Sequence, residues 1–407
     1  MKTLLIDDDP FLLKLLKQQL ANLGFAEVIT HEHAKDALVA LEASTEPVEL
    51  IFCDLQMPEM DGVEFVRHLA RTHYAGGLVL VSGEDQRILR TVENLAKSHK
   101  LNVFGILNKP VAPEQLKSIL ADKLSHTIRP PRPLPRLYGP DELRQAITNR
   151  QLVNHYQPKV AIDSGRVTGV ETLVRWLHPQ DGLVFPDQFI ATAEEHGLID
   201  DLTQAVLSNA LYQARHWQEE GLMLHVAVNI SMVNLASLDF PDLVVRAAAG
   251  AGVSPENLIL EVTESRLTND PLASLDILSR LRLKGISLSI DDFGTGHSSL
   301  KQLRDIPFDE LKIDQSFVHG ACRDASLRAI FEASLGMAKK MGMKTVAEGV
   351  ENQDDWHFLR ATGCDLAQGY FIARPMPAEA LVDWVAEWEG RFFDLKVVSS
   401  SDMGARH

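Results

Sequence analysis

Short apolar runs alternate with amphipathic stretches over residues 1–124 of the chain. The runs KTLLI, ELIFCD, GLVLVS and NVFGIL have the length and uniform apolarity of buried parallel strands. The stretches PFLLKLLKQQL and DGVEFVRHLART have the periodicity of helices that cover a sheet with one face. Five such βα units predict a doubly wound, flavodoxin-like sheet, in which the functional site lies at the carboxyl ends of the strands.

Residues 141–390 repeat this alternation on a larger scale. Eight short apolar runs each end in, or just past, a polar residue: HYQ, VTGVE, LHVAVN, LILE, ISLSID, ELK, KTVAE and CDLAQ. Helical stretches such as LTQAVLSNALYQARHWQEE and RAIFEASLGMAKKMG separate most of them. Eight strands with polar groups at one end predict a (β/α)8 TIM-like barrel whose active site lies on that face. The polar residues are Gln157, Glu171, Asn229, Glu261, Asp291, Lys312, Glu348 and Gln368.

A proline-rich segment separates the two regions. Residues 125–140 read SHTIRPPRPLPRLYGP, and clustered prolines favour an extended spacer over helix or sheet. We therefore predict a linker here rather than a docking peptide for a partner. The tail at 391–407 carries no pattern from which a function can be argued.

Composition and charge narrow the classes of function. The chain has 407 residues, is 45% hydrophobic and has a formal charge of -16, which argues against a nucleic-acid or membrane surface. Its three cysteines, Cys53, Cys322 and Cys364, are scattered, which is inconsistent with a disulfide framework or a zinc ribbon. The start MKTLLIDDDP contains no signal-peptide core, and no apolar run could span a bilayer, so the expected location is cytoplasmic.

Three carboxylates, a hydroxyl and a lysine follow strands of the first region. Asp7 and Asp8 come after the first strand, Asp54 ends the third, Ser82 ends the fourth, and Lys109 follows the fifth. Carboxylates that converge in this way favour a hard divalent cation such as Mg²⁺. Asp54 could then attack a phosphoryl donor, with Lys109 balancing the added charge.

With the motifs LLIDDDP, FCDLQMPEMDG, VLVSGED and ILNKP, the first region resembles the receiver domain of two-component response regulators. The resemblance implies that Asp54 is the phosphoacceptor, that Asp7 and Asp8 hold one metal ion, and that Ser82 and Lys109 are the switch pair. Its phosphoryl donor would be a sensor histidine kinase or a phosphorelay protein. One position departs from the family: Ile106 stands where many receivers have an aromatic switch residue.

The acidic residues of the second region suggest a two-metal site. Oxygen ligands without a His or Cys partner favour Mg²⁺ or Mn²⁺ over zinc. Two such ions, about 3.5–4 Å apart, activate a water and stabilise an in-line phosphoryl displacement. The adjacent pair Asp291 and Asp292 suits this arrangement, because one carboxylate can bridge the ions. Lys312 could orient the attacking water, and Arg175 could hold a second phosphate by bidentate contacts.

The second region resembles the EAL-domain cyclic-di-GMP phosphodiesterases. The motifs are ETLVRW, VNIS, LEVTES, DDFGTGHSSL, LKIDQSF, AEGVE and QGYFIARPMP. In the first of these motifs, Thr172 stands in place of the alanine of the Glu-Ala-Leu sequence after which the family is named. His297 stands where the family usually has tyrosine, in a loop that the family uses for dimerisation and regulation. The resemblance implies hydrolysis of cyclic-di-GMP to linear pGpG, inhibition by Ca²⁺, and a homodimer or higher homo-oligomer.

The same resemblance assigns roles to individual residues. Glu348, Lys312 and Asp291 are the expected catalytic residues, and whether Glu348 is a metal ligand or the general base stays open. Asp291 would bridge both metal ions. The first ion would also be held by Glu171, Asn229 and Glu261, and the second by Asp292 and Glu348. Substrate contacts are expected from Gln157, Arg175 and Gln368, and supporting contacts from Glu264, Asp314 and Glu351.

These observations lead to one main hypothesis and two alternatives. The main hypothesis is a response regulator that hydrolyses cyclic-di-GMP under the control of phosphorylation at Asp54. The first alternative is a barrel that binds the dinucleotide as a sensor with weak catalysis. The second is an adaptor that acts through protein contacts of its receiver domain. A complete set of metal ligands and the lysine favours the enzyme.

Overall fold

The computed structural model describes residues 2–43, 46–72, 74–83, 86–127, 136–263, 271–295 and 300–403. The chain divides into two compact units, Met1–Leu134 and Pro135–His407. None of the described helices is long and apolar enough to cross a membrane.

The first unit alternates five strands with five helices. The strands are β1 (Lys2–Ile6), β2 (Glu27–His31), β3 (Leu50–Asp54), β4 (Gly77–Ser82) and β5 (Asn102–Asn108). The helices are α1 (Pro10–Asn22), α2 (Ala34–Ala43), α3 (Gly62–Arg71), α4 (Gln86–Ser98) and α5 (Pro113–Thr127). The sheet is parallel with order β2-β1-β3-β4-β5, which confirms the predicted flavodoxin-like topology.

Both faces of this sheet are buried because its side chains alternate between two apolar layers. Leu4 and Ile6 pack into one layer and Leu5 into the other. The exceptions are the two edge strands: β5 is exposed at both ends, and β2 is exposed at Glu27 and only half-buried along the rest of its length. Its mixed sequence EVITH explains why the apolar pattern did not single it out.

The described part of the second unit contains ten strands and ten α-helices. The strands are β6 (Leu152–Ala161), β7 (Val167–His178), β8 (Gly182–Val184), β9 (His225–Asn229), β10 (Leu258–Thr263), β11 (Ser287–Phe293), β12 (Glu310–Ile313), β13 (Lys344–Ala347), β14 (Leu366–Ala367) and β15 (Met376–Pro377). The helices are α6 (Pro140–Thr148), α7 (Ile190–Glu195), α8 (Ile199–Glu219), α9 (Phe240–Ala251), α10 (Pro271–Leu283), α11 (Leu300–Asp305), α12 (Gln315–Val318), α13 (Ala325–Lys340), α14 (Gln353–Thr362) and α15 (Ala378–Met403). Short 3-10 turns lie at Pro186–Gln188, Asn234–Ala236 and Pro255–Asn257.

Eight of these strands close into the predicted barrel. The order is β6-β14-β13-β12-β11-β10-β9-β7, and β7 pairs again with β6. The strands from β7 to β14 run parallel in this circuit, whereas β6 is antiparallel to both of its neighbours. An apolar pattern carries no strand direction, so the sequence could not distinguish this barrel from an all-parallel one.

Two predicted strand ends were wrong for the same reason. Strand β6 continues past Gln157 to Ala161, and β7 continues past Glu171 to His178, because the two strands form a long antiparallel hairpin. In this hairpin Gln157 lies directly opposite Glu171. The two side chains therefore remain neighbours although neither residue ends its strand.

Candidate functional site

The site in the first unit lies at the carboxyl ends of β1, β3 and β5. Lys109 Nζ is 2.9 Å from Asp7 Oδ2 and 2.9 Å from Asp54 Oδ2. One carboxylate oxygen each from Asp7, Asp8 and Asp54 lie within 4.8 Å of one another. The structure therefore brings together the three predicted carboxylates and the predicted lysine.

The electrostatics of this site follow from partial burial. Burial raises the pKa of Asp54, and the negative charge of Asp7 adds to the effect, although Lys109 opposes it. Burial works against the charge of Lys109, but its hydrogen bonds to both carboxylates raise its pKa overall. Ser82 is buried beside this lysine, and its carbonyl accepts the Lys109 N–H at 2.9 Å. Ile106 is half-buried against the apolar core.

The centre of the barrel site is a buried ammonium group. The Lys312 side chain is 1% exposed, and its Nζ lies 3.3 Å from Glu171 Oε2, 2.9 Å from Glu261 Oε2, 3.0 Å from Asp291 Oδ1 and 2.8 Å from Glu348 Oε1. Burial disfavours the charge, but these carboxylates raise the pKa of Lys312 well above its usual value. Carboxylates from β7, β10 and β11 and from the residue that follows β13 are thus gathered around one cation.

The adjacent carboxylates of Asp291 and Asp292 reach the same side of β11. Consecutive residues of a regular strand point to opposite faces. Here the ladder with β12 shifts register between Ile290 and Phe293, and Asp292 has a φ of 56°, in the left-handed region. Oxygens of Asp291, Asp292 and Glu348 consequently lie within 4.8 Å of one another. A local departure from strand geometry creates this second carboxylate group.

The carboxylates differ sharply in their affinity for protons. Burial alone would raise the pKa of Glu261, but Lys159 and Lys312 lower it to about 2. Burial and neighbouring carboxylates raise the pKa of Asp291 to about 7 and that of Glu348 to about 8, although Lys312 opposes both shifts. Glu261 therefore stays ionised, whereas Asp291 and Glu348 exchange protons near neutral pH.

Amide side chains at the edge of the cluster hold the carboxylate of Glu171 in place. Gln368 Nε2 donates to Glu171 Oε2 at 2.7 Å and to Gln157 Oε1 at 3.0 Å. Asn229 Nδ2 donates to Glu171 Oε1 at 2.9 Å. Gln157, Glu171, Glu348 and Gln368 also line a cavity of about 280 Å³, which we call the catalytic cavity. A small-molecule phosphate ester could enter here and contact the carboxylates.

Some of the remaining predicted residues line the catalytic cavity and others do not. Asp314 and Glu351, the predicted supporting residues, line the catalytic cavity. Arg175 does not line it: its Nη1 donates to the Val174 carbonyl at 2.8 Å, and its guanidinium lies over the Phe185 ring. Glu264 and His297 lie outside the described residues.

The sequence analysis missed a layer of polar residues beneath the cluster. Lys159 Nζ lies 2.6 Å from Glu261 Oε1 and 2.9 Å from Glu310 Oε1, and the Lys159 side chain is only 2% exposed. The Ser289 hydroxyl donates to the same Glu310 oxygen at 3.0 Å. The sequence of β6, LVNHYQPKVA, mixes polar and apolar residues, so it gave no clear signal that Lys159 lies in a buried ion pair.

The residues of the barrel site fit a hard divalent cation. Two groups of oxygens are close enough to share an ion: Glu171, Glu261 and Asp291, and then Asp291, Asp292 and Glu348. Asp291 belongs to both groups. Carboxylate ligands without nitrogen or sulfur are those that Mg²⁺ and Mn²⁺ prefer.

Comparison with known proteins agrees with this architecture. The model of the response regulator receiver domain matches residues 3–121, and the model of the EAL domain matches residues 141–375. The chain is 30% identical to the cyclic di-GMP phosphodiesterase RocR of Pseudomonas aeruginosa over 386 residues. These aligned residues make up 94% of this chain and 98% of RocR.

Further relatives share the barrel alone. The chain is 45% identical to the bifunctional diguanylate cyclase/cyclic di-GMP phosphodiesterase MucR of Pseudomonas aeruginosa over 246 residues. These aligned residues make up 60% of this chain but only 36% of MucR. The chain thus spans about a third of that relative. A structure of the MucR phosphodiesterase in complex with c-di-GMP has a TM-score of 0.57, 45% identity, and covers 59% of this chain and 98% of that one. The structure of the EAL enzyme Bd1971, bound to cAMP and cyclic-di-GMP, has a TM-score of 0.58 and 25% identity. This match covers 74% of this chain and 76% of the Bd1971 chain.

The fold and the site define a response regulator whose second domain is an EAL barrel. The family match covers more than half of the chain, and the match to RocR covers nearly all of both proteins. The chain belongs to the EAL-domain family, and it carries a receiver domain at its N-terminal side. The expectation that the chain is an enzyme of the EAL-domain phosphodiesterase family is confirmed.

Proposed function

We propose that the barrel hydrolyses one phosphodiester bond of cyclic-di-GMP and releases linear pGpG. The observation that carries the proposal is the cluster of carboxylates around Lys312 at the catalytic cavity. The names of RocR and MucR, which describe cyclic di-GMP phosphodiesterases, support the choice of substrate.

Charge balance supports two divalent ions as the cofactor. With every carboxylate ionised, the six carboxylates and two ammonium groups in and beneath the cluster carry a formal charge of -4, which two divalent cations would neutralise as they displace the protons of Asp291 and Glu348. The carboxylates are Glu171, Glu261, Asp291, Asp292, Glu310 and Glu348, and the ammonium groups are Lys159 and Lys312. When bound, the ions would polarise the phosphodiester and lower the pKa of a water.

Residues of the chain would prepare the site for this chemistry. Asn229 and Gln368 fix the two oxygens of Glu171 through their amide groups, so this ligand is held in place before substrate arrives. Lys312 keeps the ligands from different strands together. Glu348 lines the catalytic cavity and lies 2.8 Å from Lys312, a position from which its ionised carboxylate could accept the proton of the attacking water.

The enzyme and the sensor alternative differ in turnover rather than in binding. Full-length protein would be incubated with cyclic-di-GMP in Mg²⁺ and in Ca²⁺, and binding and hydrolysis would be measured in parallel. We expect turnover in Mg²⁺ and inhibition in Ca²⁺, because Ca²⁺ takes a larger and looser oxygen shell. Tight binding with no hydrolysis in Mg²⁺ would support the sensor, and full activity in Ca²⁺ would contradict the proposed cofactor.

Phosphorylation of Asp54 is the proposed control. Its carboxylate lies beside Asp7 and Lys109, an arrangement in which a metal ion and the lysine would balance the charge of the phosphoryl group. Hydrolysis would be measured with and without a small phosphoryl donor in the wild type and in Asp54→Ala. A donor-dependent rate that Asp54→Ala abolishes is expected. Equal rates in all four samples would favour the adaptor alternative. Homo-oligomerisation stays a prediction from the resemblance.

A further inference from the structure

A second cavity of about 270 Å³ lies between the barrel wall and helices α7 and α8. Its lining is largely aliphatic, with Val174 and Ile230 from the barrel side facing Ile190, Ile199 and Leu202 from the helices. Enclosed apolar cavities of this size accept small aromatic or aliphatic molecules.

One lining residue departs from the EAL family in a way that concerns this cavity. Thr172 replaces the motif alanine, is 2% exposed, and its hydroxyl has no hydrogen-bond partner in the part of the chain that the structure describes. A buried hydroxyl without a partner is destabilising, and alanine at this position would avoid that cost. A 120° rotation about χ1 moves the hydroxyl of a threonine into another staggered position, so the Thr172 hydroxyl can turn toward an occupant of the cavity.

The polar residues around the cavity restrict the charge of an occupant. Glu194 lies in the lining, and its Oε1 accepts the Ser231 hydroxyl at 2.7 Å. The described lining residues include no lysine, arginine or histidine. An anionic molecule would therefore meet a carboxylate without a compensating cation.

We propose that this cavity is a binding site for a small, neutral, mainly apolar molecule that carries one hydrogen-bonding group for Thr172. The proposal goes beyond the phosphodiesterase function and does not depend on it. The cavity nevertheless borders the catalytic site: Leu173 lines both cavities, and Asn229, which lines this one, donates to Glu171.

The test uses three probes of one shape and different polarity: benzyl alcohol, toluene and benzoate. Full-length protein labelled at its Ile, Leu and Val methyl groups would be titrated with each probe and followed by NMR. We expect the two neutral probes to shift the methyl signals of Ile190, Ile199 and Leu202, and benzoate to leave them unchanged.

Two matched variants on β7 isolate the role of the hydroxyl. Thr172→Val removes the hydroxyl and keeps the shape, so it should weaken benzyl alcohol binding about fivefold and leave toluene binding unchanged. Thr168→Val, four residues earlier and outside the cavity lining, should change neither. The proposal is overturned if the neutral probes leave these methyl signals unmoved, if benzoate binds as tightly as benzyl alcohol, or if Thr172→Val does not affect the alcohol.

Discussion

The receiver unit and the barrel each gather carboxylates around a lysine at the carboxyl ends of parallel strands, but the two clusters differ in burial and in charge. Lys109 is 26% exposed and contacts two carboxylates, whereas Lys312 is 1% exposed and contacts four. A second buried lysine, Lys159, supports the barrel cluster from below. The carboxylates are buried in both clusters, since the side chains of Asp7 and Asp54 are each 2% exposed, so the lysine is the group that is more accessible in the receiver site.

The largest expected effect comes from removing a carboxylate that only the barrel site needs. Glu348→Gln keeps the shape of the side chain but removes its charge and its capacity to accept a proton. We expect hydrolysis of cyclic-di-GMP to fall by at least about 100-fold, the usual cost of losing one preorganised catalytic group. Glu332→Gln, on the exposed face of α13, is the matched control and should retain full activity. Substantial hydrolysis by Glu348→Gln would contradict the proposed role.

The second prediction concerns stability and compares the loss of Lys159 from the barrel with the loss of Lys109 from the receiver unit. Lys159→Met leaves the buried carboxylates of Glu261 and Glu310 without their shared cation, which should destabilise the barrel by about 3–5 kcal/mol. All five tryptophans, from Trp176 onwards, lie in the second unit. Denaturation followed by tryptophan fluorescence therefore reports on the barrel.

Lys109→Met is the control for this comparison, because it removes the lysine of the receiver cluster. We expect it to leave the fluorescence transition in place. If Lys159→Met also left the transition in place, the proposal that a buried lysine stabilises the barrel cluster would be incorrect.

Much of this contrast could be predicted from the sequence, and its limits have physical causes. Carboxylates such as Asp54 and Glu261 were found because apolar runs mark strands and the polar residues stand near their ends. Lys159 was missed because a pattern of apolar positions treats a lysine as an interruption, although here two carboxylates neutralise it. The convergence of Asp291 and Asp292 depends on one positive φ, which residue identity does not encode.

The third prediction concerns pH and metal affinity in the barrel. The pKa values of about 7 for Asp291 and about 8 for Glu348 mean that both carboxylates hold protons in mildly acidic solution. A metal ion must displace these protons, so affinity should rise with pH and increase at least about tenfold between pH 6 and pH 8. Mn²⁺ titrations of Asp7→Asn, which lacks one receiver ligand, would report mainly on the barrel. An affinity that does not change with pH would show that these carboxylates are not ligands.

The smallest effect is expected from the C-terminal helix, for which the sequence suggested no role. Arg391 on α15 donates to the carbonyls of Phe371 at 2.7 Å and Ile372 at 3.2 Å, in the loop that follows Gln368. Gln157 holds the same loop from the barrel through the Ala373 carbonyl at 3.0 Å. Arg391→Ala should raise KM for cyclic-di-GMP about threefold with little change in kcat, because the loop loses its attachment to α15 but keeps those to Gln157 and to the Val350 carbonyl.

Arg246→Ala, on the exposed side of α9, is the control and should leave both constants unchanged. An unchanged KM in Arg391→Ala would mean that the loop is positioned without the C-terminal helix.

The central claim is that the enclosed carboxylate cluster uses water to open one phosphodiester bond of cyclic-di-GMP. The most direct measurement is mass spectrometry of the product formed by full-length protein with Mg²⁺ in ¹⁸O-labelled water. The account predicts linear pGpG that carries one ¹⁸O atom in its terminal phosphate. Recovery of bound but intact cyclic-di-GMP would contradict it.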